Sequence, residues 1–336
     1  MHLTRRTLLK SSLAALAGCG APLHKFPFDP GTAAGSGPGL TVDFFGTACF
    51  QFSWANTALL LDPFFSRFPI VRSGLGRIGP DPAQIDKYIP QLKRVNTVLV
   101  GHTHYDHAMA LPYLVPHFTP NTRVIGNRTL KHTFAPLDLP VQWTVANNIA
   151  ATPERNGTWV WNNDGNIRVL PIISSHPNHW SFIHLYRKSL TEDRKTPPTR
   201  AAHYQEGQPL AFLIDFMEPD GETVAHRVYA QTSSRGFPSG SLPQSILDER
   251  AVDIAVVSMD SCKQEARGET SVLDLVQPRE VFFGHWDNFF LRKDQPPREV
   301  MKVDLPELYA HYLTDSSRVY RFPGFDTQYF FPNGAQ

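Results

Sequence analysis

Three imidazoles and a carboxylate fall within six residues at His102-Thr103-His104-Tyr105-Asp106-His107. Imidazole nitrogen and carboxylate oxygen are the donors Zn²⁺ takes when no thiolate is offered, and a loop this dense in them can divide them between two adjacent cations. Alternation along the loop sends His102 and His104 to one side and Asp106 with His107 to the other. A cation held by imidazoles with one position open lowers the pKa of bound water towards about 7 and polarises a carbonyl or phosphoryl oxygen. The chemistry indicated is hydrolysis by metal-activated hydroxide, with no nucleophilic side chain required. Asp106 is the candidate catalytic group, a carboxylate able both to ligate and to receive or orient the proton of water. No Gly-x-Ser-x-Gly elbow, P-loop or dinucleotide fingerprint competes with this reading.

The cluster needs an element to deliver it. Residues 96–100 form a short apolar run that stops at Gly101, so a strand leads into the histidines. Upstream, residues 41–45, 49–52 and 57–61 are β-branched or aromatic runs separated by turns, the last ending at Asp62-Pro63. Helical spacing is expected over 82–92, 110–115 and 128–134, with short strands at 123–125 and 141–144. The second half repeats the pattern: hairpins 158–162/167–173 and 210–216/226–230, then helices over 243–250, 271–276 and 305–313 alternating with strands 253–258 and 280–284. Strands early and alternating helices later in each half predict an α/β fold, an αββα sandwich of two mixed sheets with helices on the outer faces.

The strand-then-His-x-His-x-Asp-His arrangement resembles the signature motif of the metallo-β-lactamase superfamily, and the early strands with Leu61-Asp62-Pro63 extend the resemblance. The order is similar to the branch containing UlaG-like lactonases and N-acylphosphatidylethanolamine phospholipase D enzymes, over roughly residues 40–290. The resemblance implies the metallo-β-lactamase fold and one or two zinc ions, with manganese or iron as alternatives. It places His176, after the run 172–175, with His102 and His104 on a first metal, and His285, after 281–284, with Asp106 and His107 on a second. It gives Asp62 the role of orienting the metal-binding loop by hydrogen bonding. One residue departs from the family: Gln231 stands where an aspartate normally bridges both metals, which predicts a weakened or absent second metal, with Asp260 or Asp287 as substitutes. Residues 177–209 mix Trp180, Phe182, Tyr186 and Tyr204 with Arg187, Lys188, Arg194, Lys195 and Arg200. That mixture suits an anionic, partly apolar substrate, with His179 and Trp180 in the pocket and His184 and His203 solvated or substrate-facing. The expected function is hydrolysis of a phosphodiester, lactone or lipid-like ester; the alternative is a catalytically weakened metal-binding lipoprotein that binds a ligand or partner.

The chain has 336 residues, 41% of them hydrophobic, which supplies a large core and makes disorder untenable as the main state. Its 32 basic and 31 acidic side chains lack the excess of a nucleic-acid binder. Arg5-Arg6 followed by Leu8-Leu9-Lys10 resembles a twin-arginine export signal, and Leu16-Ala17-Gly18-Cys19 a bacterial lipobox. Residues 1–18 are therefore read as an export signal, 19–39 as a tether lipidated at Cys19, and 40–336 as one domain. The expected location is the periplasmic face of a membrane. Removal of Arg5, Arg6 and Lys10 leaves 29 basic against 31 acidic side chains. Cys49 and Cys262 are either a disulfide or two free thiols.

Overall fold

The computed structural model describes residues 23–32, 35, 37–179, 184–259, 269–301 and 303–333. The export signal, Cys19, Trp180, Phe182, Asp260 and Cys262 lie outside the described residues. The first half supplies strands β1 (Gly39–Gly46), β2 (Cys49–Trp54), β3 (Thr57–Leu61), β4 (Val95–Leu99), β5 (Arg123–Gly126) and β6 (Gln142–Val145). The second supplies β7 (Val160–Trp161), β8 (Ile167–Ile173), β9 (Leu210–Met217), β10 (Val224–Gln231), β11 (Ile254–Ser258), β12 (Glu280–Gly284), β13 (Val319–Arg321) and β14 (Thr327–Pro332).

These strands form two seven-stranded sheets, ordered β14-β1-β2-β3-β4-β5-β6 and β13-β12-β11-β10-β9-β8-β7. Each sheet is antiparallel through its hairpins and parallel where helices intervene: β3, β4, β5 and β6 run parallel in the first, β10, β11, β12 and β13 in the second. Parallel pairing requires crossover connections, so the site loops leave the same ends of β4 and β12 that the crossovers use. The expected sandwich is what the chain forms.

Side-chain alternation builds two cores. Leu59, Leu61, Leu99 and Ile125 face inward, as do Val169, Ile214 and Val228 of the second sheet, while Ala58, Leu60, Val98 and Val124 face outward under Leu92, Leu114, Leu130 and Phe134. Burying a β-strand on both faces produces the near-continuous apolar run seen in β3, whereas β4, equally buried, carries Asn96 and Thr97.

The helix Arg128–Phe134 and strand β12 keep their expected limits, while the expected helix over 110–115 contracts to Leu111–Leu114. Strands β13 and β14 were not expected. β14 lies antiparallel beside β1, and its burial barely alternates, so it carries no amphipathic signal until its partner is in place. Cys49 is a free thiol, fully buried, and burial pushes its pKa up to about 12.

Candidate metal centre

The loop after β4 is pinned at both ends before any histidine is placed. Asp62, at the end of β3 and fully buried, accepts from the Gly101 amide (2.7 Å) through Oδ1 and contacts His107 Nδ1 (2.7 Å) through Oδ2. A β-carbon at Gly101 would lie 2.5 Å from Thr232 Oγ1 and 3.3 Å from Asp62 Oδ2, so only glycine lets the loop pass. The Thr103 hydroxyl donates to Asn127, which caps the helix Arg128–Phe134 and also donates to the carbonyls of Glu206 and Gln208. The sequence singled out neither Asn127 nor Glu206.

Two groups of three potential ligands result. His102, His104 and His176 place one ligand atom each within 4.8 Å of one another, and so do Asp106, His107 and His285. The split of the motif is the expected one. Its cause differs, because residues Tyr105–Ala108 form a helical turn that carries Asp106 and His107 away from the extended His102 and His104. His285 reaches the second group from a left-handed conformation (φ 56°) after β12, as Asp62 does after β3 (φ 45°). Such backbone is uncommon away from glycine and clusters at functional sites.

Charge and burial divide the groups. Burial pulls His104 down to about 3 and holds His102 and His176 well below the usual imidazole range, so these three are neutral and offer lone pairs. Burial also pulls on His107, but Asp62 and Asp106 together outweigh it and raise its pKa to about 10 in the metal-free protein. Burial opposes ionisation of Asp106, yet His107 and His285 overcome it and hold the carboxyl well below its ordinary value.

Several expectations change. The Gln231 amide nitrogen donates to the Ser239 carbonyl (2.8 Å) and Ser174 Oγ (3.2 Å), while its buried Oε1 has no partner. The cavity wall beside it is formed instead by Thr232 and Ser233. Asp287 is not a substitute carboxylate: it is buried in an ion pair with Arg67 (2.7 Å) and accepts from the Thr47 amide (2.6 Å). His184 is not solvated. Its Nε2 contacts Glu206 Oε2, its Nδ1 faces Arg235 (3.2 Å), and it makes a third ligand-like group with His176 and His179. Glu206 Oε2 lies 3.9 Å from both His104 Nε2 and His176 Nδ1, a buried carboxylate among three imidazoles. The only sequence signal was the spacing His176, His179, His184, and nothing local marked Glu206. His203 accepts from the Thr199 amide, outside this cluster.

A cavity of about 200 Å³ opens over both ligand groups. His179 lines it, as expected, whereas Arg187, Lys188, Arg194, Lys195 and Arg200 do not. Arg187, Lys188, Lys195 and Arg200 are exposed at the surface.

Comparison with known proteins agrees with this architecture. The β-lactamase superfamily domain model matches residues 41–170, which include the His102–His107 loop. An isothiocyanate hydrolase from Delia radicum gut bacteria superposes with a TM-score of 0.52 at 10% identity, covering 86% of this chain and 98% of its own. A metallo hydrolase from the hyperthermophilic archaeon Ignicoccus hospitalis gives 0.51 at 13% identity, covering 87% and 98%. At such identities the likeness is one of fold. The family model covers the first sheet except β14, and the start of the second, and the superpositions extend the likeness of fold over most of the chain.

Proposed function

We propose that this chain is a metal-dependent hydrolase in which His102, His104 and His176 hold one cation and Asp106, His107 and His285 a second. The spacing of the ligand atoms carries the reading. His102 Nε2 and His104 Nδ1 are 3.0 Å apart, His107 Nε2 and Asp106 Oδ2 3.4 Å, and His285 Nε2 and Asp106 Oδ2 3.3 Å. Ligands at 2.0–2.1 Å around a tetrahedral zinc are separated by about 3.3 Å, so these pairs fit the ion, and His176 lies within 4.8 Å of its two partners. The donor set suits zinc, with manganese or iron as alternatives.

A bound cation supplies Lewis acidity and lowers the pKa of water. The protein contributes the rest. Burial keeps the first three imidazoles unprotonated, and Asp62 fixes the orientation of His107. Asp106, held ionised, receives or orients the proton of the attacking water. Because Gln231 brings no charge and turns its NH₂ to Ser174 and Ser239, the second group has one anionic ligand, Asp106, and holds its cation more weakly than the family pattern would. That favours, as a second reading, a metal-binding protein with reduced hydrolysis.

The bond cleaved is a phosphodiester, lactone or ester, in line with the UlaG-like and phospholipase D-like branch. Residues 1–39 are read as a twin-arginine signal and tether that place the enzyme at the periplasmic face of a membrane through Cys19. Zinc- and manganese-loaded protein assayed against bis-p-nitrophenyl phosphate, esters, lactones and a chromogenic cephalosporin tests the activity, with His102→Ala as the inactive control. Loaded protein inert towards the whole panel would favour the second reading. Two tightly held metals per chain, unchanged in Gln231→Ala, would refute the weakened second site. Loss of acyl labelling and membrane association in Cys19→Ser checks the anchor.

A further inference from the structure

The wall of the cavity away from the metal ligands is apolar. Ile70 comes from the helix Ile70–Leu75, Leu185 and Tyr186 from the insertion after β8, Phe289 and Phe290 from the loop after β12, and Met301 from the segment beyond it. Phe289 stands edge-on to His285, with ring centroids 5.4 Å apart, so the apolar wall begins where the second ligand group ends. Among the described residues no lysine or arginine lines the cavity. Apart from the ligands, Asn178 and His179, the polar side chains bordering it are hydroxyls, of which Thr232 Oγ1 and Ser233 Oγ are buried without a partner. About 200 Å³ is smaller than the roughly 300–1,000 Å³ of pockets that enclose drug-sized ligands.

We propose that the substrate carries a small apolar group, one ring or a short acyl chain, lodged between Ile70, Leu185, Tyr186, Phe289, Phe290 and Met301, with the scissile bond at the ligand groups. This deepens the metal-centre reading and rests on it. It also replaces the basic residues of 177–209 as the expected substrate contacts, since their charges lie outside the cavity. Among the described residues the cavity is too small to enclose a long lipid tail.

Binding of straight-chain hydroxamates, from acetyl to dodecanoyl, to zinc-loaded protein by calorimetry tests this without requiring turnover. Each buried methylene is worth about fourfold in affinity, so affinity should climb steeply over the first members and level off by about eight carbons. Phe290→Ala and Leu185→Ala, with unchanged zinc content and melting temperature, should each weaken the hexanoyl compound about tenfold and the acetyl compound hardly at all. Affinity independent of chain length, a continued rise to dodecanoyl, or equal weakening on replacing Arg187 and Lys188 with alanine would overturn the proposal while leaving the metal centre intact. No binding by any member would overturn both readings.

Discussion

Replacing Asp62 with asparagine separates the two ligand groups. The carboxylate is buried, takes the Gly101 amide at 2.7 Å on Oδ1 and meets His107 Nδ1 at 2.7 Å on Oδ2. Asparagine has nearly the same shape, and its Oδ1 still accepts from Gly101. The atom facing His107 then becomes an N–H donor. His107 Nδ1 must accept, which moves the ring proton to Nε2, the nitrogen 3.4 Å from Asp106 Oδ2 and the one aimed at the second cation. A protonated Nε2 has no lone pair to give. Loss of such a carboxylate partner typically weakens a metal 10- to 100-fold, or about 1.4–2.7 kcal/mol. His102, His104 and His176 make no hydrogen bond to Asp62, so the first cation should keep its affinity. Cobalt(II) titration by absorption, with metal content by mass spectrometry after dialysis against a graded chelator, reads both sites. Expected is one cation held as in wild type and one released at 10- to 100-fold lower chelator concentration. Two cations held with wild-type affinity, or both lost together, would refute the assignment of His107 and the role of Asp62.

Three further outcomes follow from particular contacts. Glu206→Gln removes the charge that lies 3.9 Å from His104 and His176 and contacts His184; chelator competition should show the first cation bound about tenfold more weakly. Gly240→Ala places a β-carbon 2.1 Å from Gln231 Nε2 and 2.4 Å from Tyr229 Oη at φ +81°, and denaturant titration should show a loss of about 2–4 kcal/mol. Burial lowers Lys293 from 10.5 to about 8 despite its contact with Asp326. Between those two values the unfolded chain binds more protons, so Lys293 makes stability rise with pH from about 8 towards 10. Thermal melts of wild type and Lys293→Met across that range should diverge in slope, and parallel slopes would contradict the shift.

The local sequence determined a good deal. A run of mostly β-branched residues ending at Gly101 specifies a strand end, and residue type alone makes four of the next six residues metal ligands in waiting. Alternation and turn chemistry set β3, β4, β8 and β12 nearly to the residue, because a strand buried on one or both faces must repeat with the pleat. Convergence is another matter. That His176 and His285 meet the motif loop depends on where β8 and β12 fall, each one strand in from an edge, in a sheet whose order no local pattern encodes. Glu206 is buried against His184 because Asn127 and Thr103 hold its backbone, a contact across 79 residues in one case and 103 in the other. Asp287 looked like a free carboxylate and is spent on Arg67; the basic residues of 177–209 looked like substrate contacts and lie outside the cavity. Side-chain types and spacing fix which atoms can bind a cation. Only the packed sheets, with Asp62 and His285 held in left-handed backbone, decide which of those atoms face one another across about 3 Å.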